Sequence, residues 1–133
     1  MRTKGPFTFA ETTSDQKTLS KRFREGKLAR LLPGVYIDAT VTGEQRSTAV
    51  RTYLLDILGF AFRDCALAWR YAVTLKPDDN GIVYLINAIG VRSARRQQLD
   101  TLEIQVLPGD VSNGVERVTP ELLRMTEARV LLE

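Results

Sequence analysis

Leu19-Ser20-Lys21-Arg22-Phe23-Arg24-Glu25-Gly26-Lys27-Leu28-Ala29-Arg30-Leu31-Leu32-Pro33-Gly34-Val35-Tyr36 is the stretch around which the rest of the chain can be read. Leu19 and Phe23, four apart, give a helix an apolar stripe, and a glycine just past the last turn ends a helix in the left-handed conformation. Gly26 stands at that place. Pro33-Gly34 then supplies the fixed negative φ and the positive φ of a type II turn. Leu28–Leu32 and Val35–Ile37 on either side of it are expected to pair as a hairpin. Upstream, the helix is expected to begin near Thr13 or Ser14, with Thr13-x-x-Gln16 as a capping box and Asp15 favoured by the helix dipole. Lys17, Lys21 and Arg24 follow i, i+4, i+7 and so share one solvent face. A basic helix stopped by glycine and followed at once by a hairpin has the outline of a recognition helix and wing. Before it, Phe7 and Phe9 alternate like a short strand.

Downstream, Thr42-x-x-Gln45 reads as a second capping box. Val50, Tyr53, Leu54, Ile57, Leu58 and Ala61 then fall at helical spacing, giving one long core-facing helix. Asp64 is expected to cap a shorter helix through residues 66–72. Pro77-Asp78-Asp79-Asn80-Gly81 is a turn. Ile82–Ile86, Leu102–Leu107 and Val115–Val118 read as strands. Thr126-Glu127 starts a helix whose apolar face would be Ala128, Leu131 and Leu132. Because that helix stops after barely two turns at Glu133, the chain is expected to be an N-terminal piece of a longer protein.

The 133 residues include 19 Lys+Arg and 16 Asp+Glu, a net +3, with 44% apolar and 26% charged content. This is the composition of a globular protein, long enough to bury roughly two-thirds of its unfolded surface. There is no histidine and one cysteine, Cys65. Ser-His-Asp and Cys-His catalysis and histidine-containing zinc sites are therefore impossible within these residues, as is an internal disulfide. No signal-peptide core is present and no apolar run reaches the ~18 residues of a membrane span, so the expectation is a cytoplasmic protein without membrane or metal partners and without a cofactor. The charge is uneven. Residues 1–98 hold 16 basic and 9 acidic side chains (net +7), and residues 99–133 hold 3 and 7 (net −4). The positive charge has two foci, one at Lys17, Lys21, Arg22, Arg24, Lys27 and Arg30, the other at Arg92, Arg95 and Arg96. Such clusters attract polyanions.

The stretch from Leu19 to Tyr36 resembles the start of AbiEi-type antitoxins, in which a helix ending in Arg-x-Gly-x-Leu leads to a short basic strand and Gly-Val-Tyr. Ala68-Trp69-Arg70-Tyr71-Ala72-Val73 is similar to that family's Ser-His-Arg-Ser-Ala-Leu segment, with Trp69 at the histidine position. Thr126-Glu127-Ala128-Arg129-Val130-Leu131-Leu132-Glu133 is similar to its Ser-x-Ala-Arg-x-Leu-Leu-Glu. A like module precedes the catalytic domain of some bacterial Fic (filamentation induced by cAMP) proteins, and Ile82–Gly109 is most similar to that version. The resemblance implies a winged helix-turn-helix that binds operator DNA and represses a toxin–antitoxin operon, followed by an α/β module that acts on the toxin. It places DNA-binding positions at Lys17, Lys21, Arg22 and Arg24 on the recognition helix and at Lys27 and Arg30 on the wing.

Several residues admit two readings. Arg22 or Gln16 would have to reach a major-groove edge to read bases, against a solvated helix face. Arg92, Arg95 and Arg96 would bind phosphate or an acidic partner surface, or stand solvated in a loop. Trp69 is an interface anchor or a core residue. Asp78 or Asp79 with Glu103-Ile104-Gln105 is a faint echo of metal-dependent nucleases, in which Gln105 replaces the usual lysine. The fold expected is α+β: a winged-helix-like part over 1–40, then over 41–133 helices packed on a small antiparallel sheet. The function expected is non-enzymatic DNA binding and repression, acting with a toxin-like protein. The alternative is a protein–protein regulatory or substrate-docking domain attached to a Fic-type domain, without DNA binding. Fic-type AMP transfer itself needs a histidine that this chain lacks.

Overall fold

The computed structural model describes residues 1–87 and 95–132. The architecture is α+β, and the chain divides into two compact units, Met1–Ala61 and Phe62–Glu133. The helical stretch after residue 41 thus belongs with the first unit.

In the first unit, β1 (Arg2–Lys4), β2 (Phe7–Phe9), β3 (Leu28–Leu32) and β4 (Val35–Asp38) form an antiparallel sheet in the order β1-β2-β4-β3. The register sets Phe7 opposite Ile37 and Phe9 opposite Val35, and all four are fully buried. Residues directly opposite in a sheet share a face. That face meets the helical stretch formed by α2 (Gly43–Thr52) and α3 (Leu54–Ala61), with Phe7 edge-on to Tyr53 at 5.8 Å and Phe9 against Phe60 at 5.0 Å. Tyr36 sits on the other face, opposite both Thr8 and Arg30, and is covered by α1 (Thr13–Arg24). One thin sheet therefore carries a helix on one side and a broken helix pair on the other.

The glycine and turn signals appear as expected. Gly26 takes φ +76°, its N–H donates to the Phe23 carbonyl, and the Lys27 N–H donates to the Arg22 carbonyl, the paired bonds of a Schellman stop. Gly34 takes φ +79° after Pro33, and a Cβ there would stand 3.1 Å from the Phe60 ring, so the turn and the packing both require glycine. β3 carries a bulge between Arg30 and Leu32.

Three helix expectations are corrected. The α1 cap is Thr12, and the box closes with Asp15: Thr12 Oγ1 accepts from the Asp15 N–H at 3.1 Å, and the Asp15 carboxylate accepts from the Thr12 N–H at 3.2 Å. Gln16 is unavailable to a box because its amide donates to Tyr36 Oη. Thr12→Ala is expected to cost about 1 kcal/mol in urea unfolding. The second box does not form. Thr42 is the cap of α2 without a side-chain bond, and Gly43, the first residue of the helix, stands at φ +56°. The long helix breaks at Tyr53 (φ −104°, ψ 20°), whose ring packs on Phe7.

The second unit contains β5 (Ala66–Leu67), α4 (Trp69–Thr74), β6 (Ile82–Asn87), β7 (Arg95–Leu99), β8 (Leu102–Pro108), β9 (Val115–Thr119), β10 (Leu122–Met125) and α5 (Glu127–Leu132). Its sheet is not small and antiparallel. Among the described residues it has six strands in the order β7-β8-β6-β5-β10-β9, with β6/β8 and β5/β10 parallel. Parallel register sets Val83 beside Ile104 and Leu85 beside Val106, which gathers buried aliphatic side chains along neighbouring strands. Ala66 and Leu67, expected to be helical, form a buried central strand, so α4 starts only after Ala68 and Asp64 does not cap it. Leu131 and Leu132, expected to be an apolar contact face, are 80% and 89% exposed.

Candidate nucleic-acid interface

The first basic focus is built on α1 and the strand that follows it. Leu19 is the fully buried residue that seats the helix against β3. Gln16 Nε2 donates to Tyr36 Oη at 2.7 Å, Ser20 Oγ lies 3.4 Å from the same oxygen, and the Phe23 and Tyr36 rings stand 6.4 Å apart. Gln16, Leu19, Ser20 and Phe23 therefore define the inner face, although Phe23 remains 44% exposed at its edge. At about 100° per residue, Lys17, Lys21 and Arg24 share a flank roughly 115° round from that face. Arg22 falls about as far round on the opposite flank. The four helix cations thus form a stripe of three and one outlier.

Lys17, Lys21, Arg22, Arg24, Lys27 and Arg30 are all exposed. Arg30 shares the α1 face of the sheet with Tyr36, its partner in register, so it stands on the helix side of β3. Lys27 Nζ pairs with the Glu25 carboxylate at 3.1 Å. Among the described residues, no carboxylate pairs with Lys17, Lys21, Arg22, Arg24 or Arg30. The hydrogen bond from Lys27 holds Glu25 below the ordinary carboxylate range, and the charges of Lys27, Lys21 and Arg22 push the same way. One acid thus sits within a field of cations. Gln16, a candidate base reader, has its amide committed to Tyr36 and Ser20.

The tie between Gln16 and Tyr36 was not legible as a site. Tyr36 reads as a core aromatic, and nothing in the spacing shows that its hydroxyl reaches back 20 residues to orient the helix. The stacking of the Arg2 guanidinium 5.2 Å from the Phe9 ring likewise joins a strand with no sequence signal of its own.

At the second focus, Arg95 and Arg96 are exposed on β7, which among the described residues is an edge strand paired only to β8. The expected loop is a strand there because Leu99 is buried opposite Leu102 and anchors the register. Arg96 Nε lies 4.0 Å from Glu103 Oε1. Arg92 lies outside the described residues.

The nuclease-like constellation does not assemble. Asp78 Oδ1 accepts from the Asn80 and Ile82 N–H groups of its own turn, and Glu103 accepts from Gln105 Nε2 at 3.2 Å. Among the described residues no three His, Cys, Asp or Glu side chains gather as a metal site. Cys65 is buried, and burial pushes its thiol up, away from the reactive thiolate. Among the same residues no helix is long and apolar enough to cross a membrane.

The class these features define is an α+β protein with a basic helix-and-strand surface on its first unit. Compared with protein-family models, with curated proteins and with solved structures, the chain matches none.

Proposed function

We propose that the first unit is a winged-helix-like DNA-binding module. In this reading α1 lies in the major groove and the β3–β4 hairpin serves as the wing. The observation that carries it is the unpaired stripe of Lys17, Lys21 and Arg24 on one flank of α1, with Arg30, likewise unpaired among the described residues, following on the adjoining strand. Cations held on a rigid helix and strand, without acids of their own to neutralise them, are what phosphate contacts require. The sequence resemblance to AbiEi-type antitoxins supports the same reading and adds its purpose: repression of an operon encoding a toxin-like partner. The second unit would meet that partner, with Arg95 and Arg96 on the exposed edge of β7 facing an acidic surface.

Each phosphate neutralised adds about 0.9 to the slope of log affinity against log salt. With four or five cations engaged, anisotropy on the DNA upstream of the gene is expected to give a slope of about −4. A slope near zero, or no binding at 50 mM salt, would remove the proposal.

A further inference from the structure

The second unit holds a cavity of about 420 Å³, within the usual size range of small-ligand sites. Three aromatic side chains line it, Trp69, Tyr71 and Tyr84, together with Lys76, Asp78 and Asp79. Trp69 and Tyr84 meet nearly edge to face, with centroids 5.8 Å apart and planes at 76°. The inner corner of such a pair presents two electron-rich ring surfaces at almost a right angle.

Tyr71 is 2% exposed, with its hydroxyl buried out of contact with the open cavity. A further observation points to a ligand. The backbone is strained at the same place: Trp69 has φ 49° and Leu75 φ 57°, so left-handed residues bracket the α4 stretch. For a side chain as bulky as tryptophan this is an outlier, and such outliers concentrate where a ligand is gripped.

The charges select the chemistry. Two carboxylates stand against one ammonium, and Lys76 is itself exposed. A net negative rim over aromatic faces suits a cation, which the ring quadrupoles attract and the carboxylates complement. An anion would meet the wrong balance, and a neutral planar ring would gain nothing from the carboxylates. We propose that this cavity binds a small organic cation, its alkylated ammonium against Trp69 and Tyr84.

Trp69 is the single tryptophan of the chain, so its fluorescence reports the site directly. Choline, titrated at constant ionic strength, is expected to change that emission saturably, with half-saturation at about 1 mM or below. Its neutral carbon analogue 3,3-dimethylbutanol should bind at least about fivefold more weakly. Asp79→Asn, at an exposed position, should weaken choline about threefold while leaving the fold intact. No saturable change up to 10 mM choline, equal binding of the neutral analogue, or tighter binding of adenosine than of choline would each overturn the proposal.

Discussion

The double variant Lys21→Glu/Arg24→Glu is expected to lose about 10²- to 10³-fold in affinity for upstream DNA near 0.1 M salt, and to flatten the salt slope by about two units. Both side chains are exposed and share the α1 flank that also carries Lys17. Neither makes an ion pair among the described residues, so reversing them breaks no fold contact. The cost to the helix is limited to placing two acids in its last turn, a few tenths of a kcal/mol each against the macrodipole. Circular dichroism and the melting temperature should therefore stay close to those of the wild type. Arg22→Glu is the matched control. It removes the same charge from the opposite flank, so its loss should be about tenfold or less and come from the long-range field alone. Equal losses for the two variants would mean that α1 does not present this flank to DNA, and the recognition-helix reading would fail with it.

The second large effect is expected at Phe9. Its ring is fully buried, packs on Phe60 at 5.0 Å and carries the Arg2 guanidinium at 5.2 Å. Phe9→Ala removes the ring from the middle of the sheet's aliphatic and aromatic face, at a cost of about 3–5 kcal/mol. That is most of the stability of a unit this small. Urea unfolding followed by far-UV circular dichroism should show the midpoint of the first transition falling by well over about 1 M, or that unit unfolded in buffer. Phe23→Ala, by contrast, touches an aromatic that is 44% exposed and should cost under about 1 kcal/mol. If the two variants behaved alike, the sheet face formed by Phe7, Phe9, Val35 and Ile37 would not be the core of this unit.

The parts of the fold that the sequence announces are those whose cause is local. Gly26 ends α1 through bonds to residues three and five back, and Pro33-Gly34 turns the hairpin with its own dihedrals. The misread parts depend on distant partners. Ala66-Leu67 has no strand signal of its own and becomes a strand because β6 and β10 flank it. Thr13-x-x-Gln16 has the right residues for a box, but Tyr36 takes the glutamine and Thr12 with Asp15 takes the cap. The basic residues of the candidate site were legible from charge alone. Their division into a stripe and an outlier was not, since it follows from which helix face meets Tyr36. The cavity beside Trp69 was equally hidden, because Trp69, Asp78 and Tyr84 come together only once α4, the turn and β6 are in place.

The sheet of the first unit has a consequence for how this protein can change in length. Along β4, Val35 and Ile37 belong to one layer and Tyr36 to the other, each fixed by its partner in register. A single-residue insertion or deletion within 35–37 would exchange the two sets: a tyrosine hydroxyl would enter the aliphatic layer, and an aliphatic chain would face Gln16 and Ser20. Both helical layers would lose their footing at once, so the strand behaves as a ruler that tolerates substitutions better than slips. Length variants tolerated in the first unit should therefore map to segment 39–42 or to the start of the chain, and variants within β4 should be found only as residue exchanges.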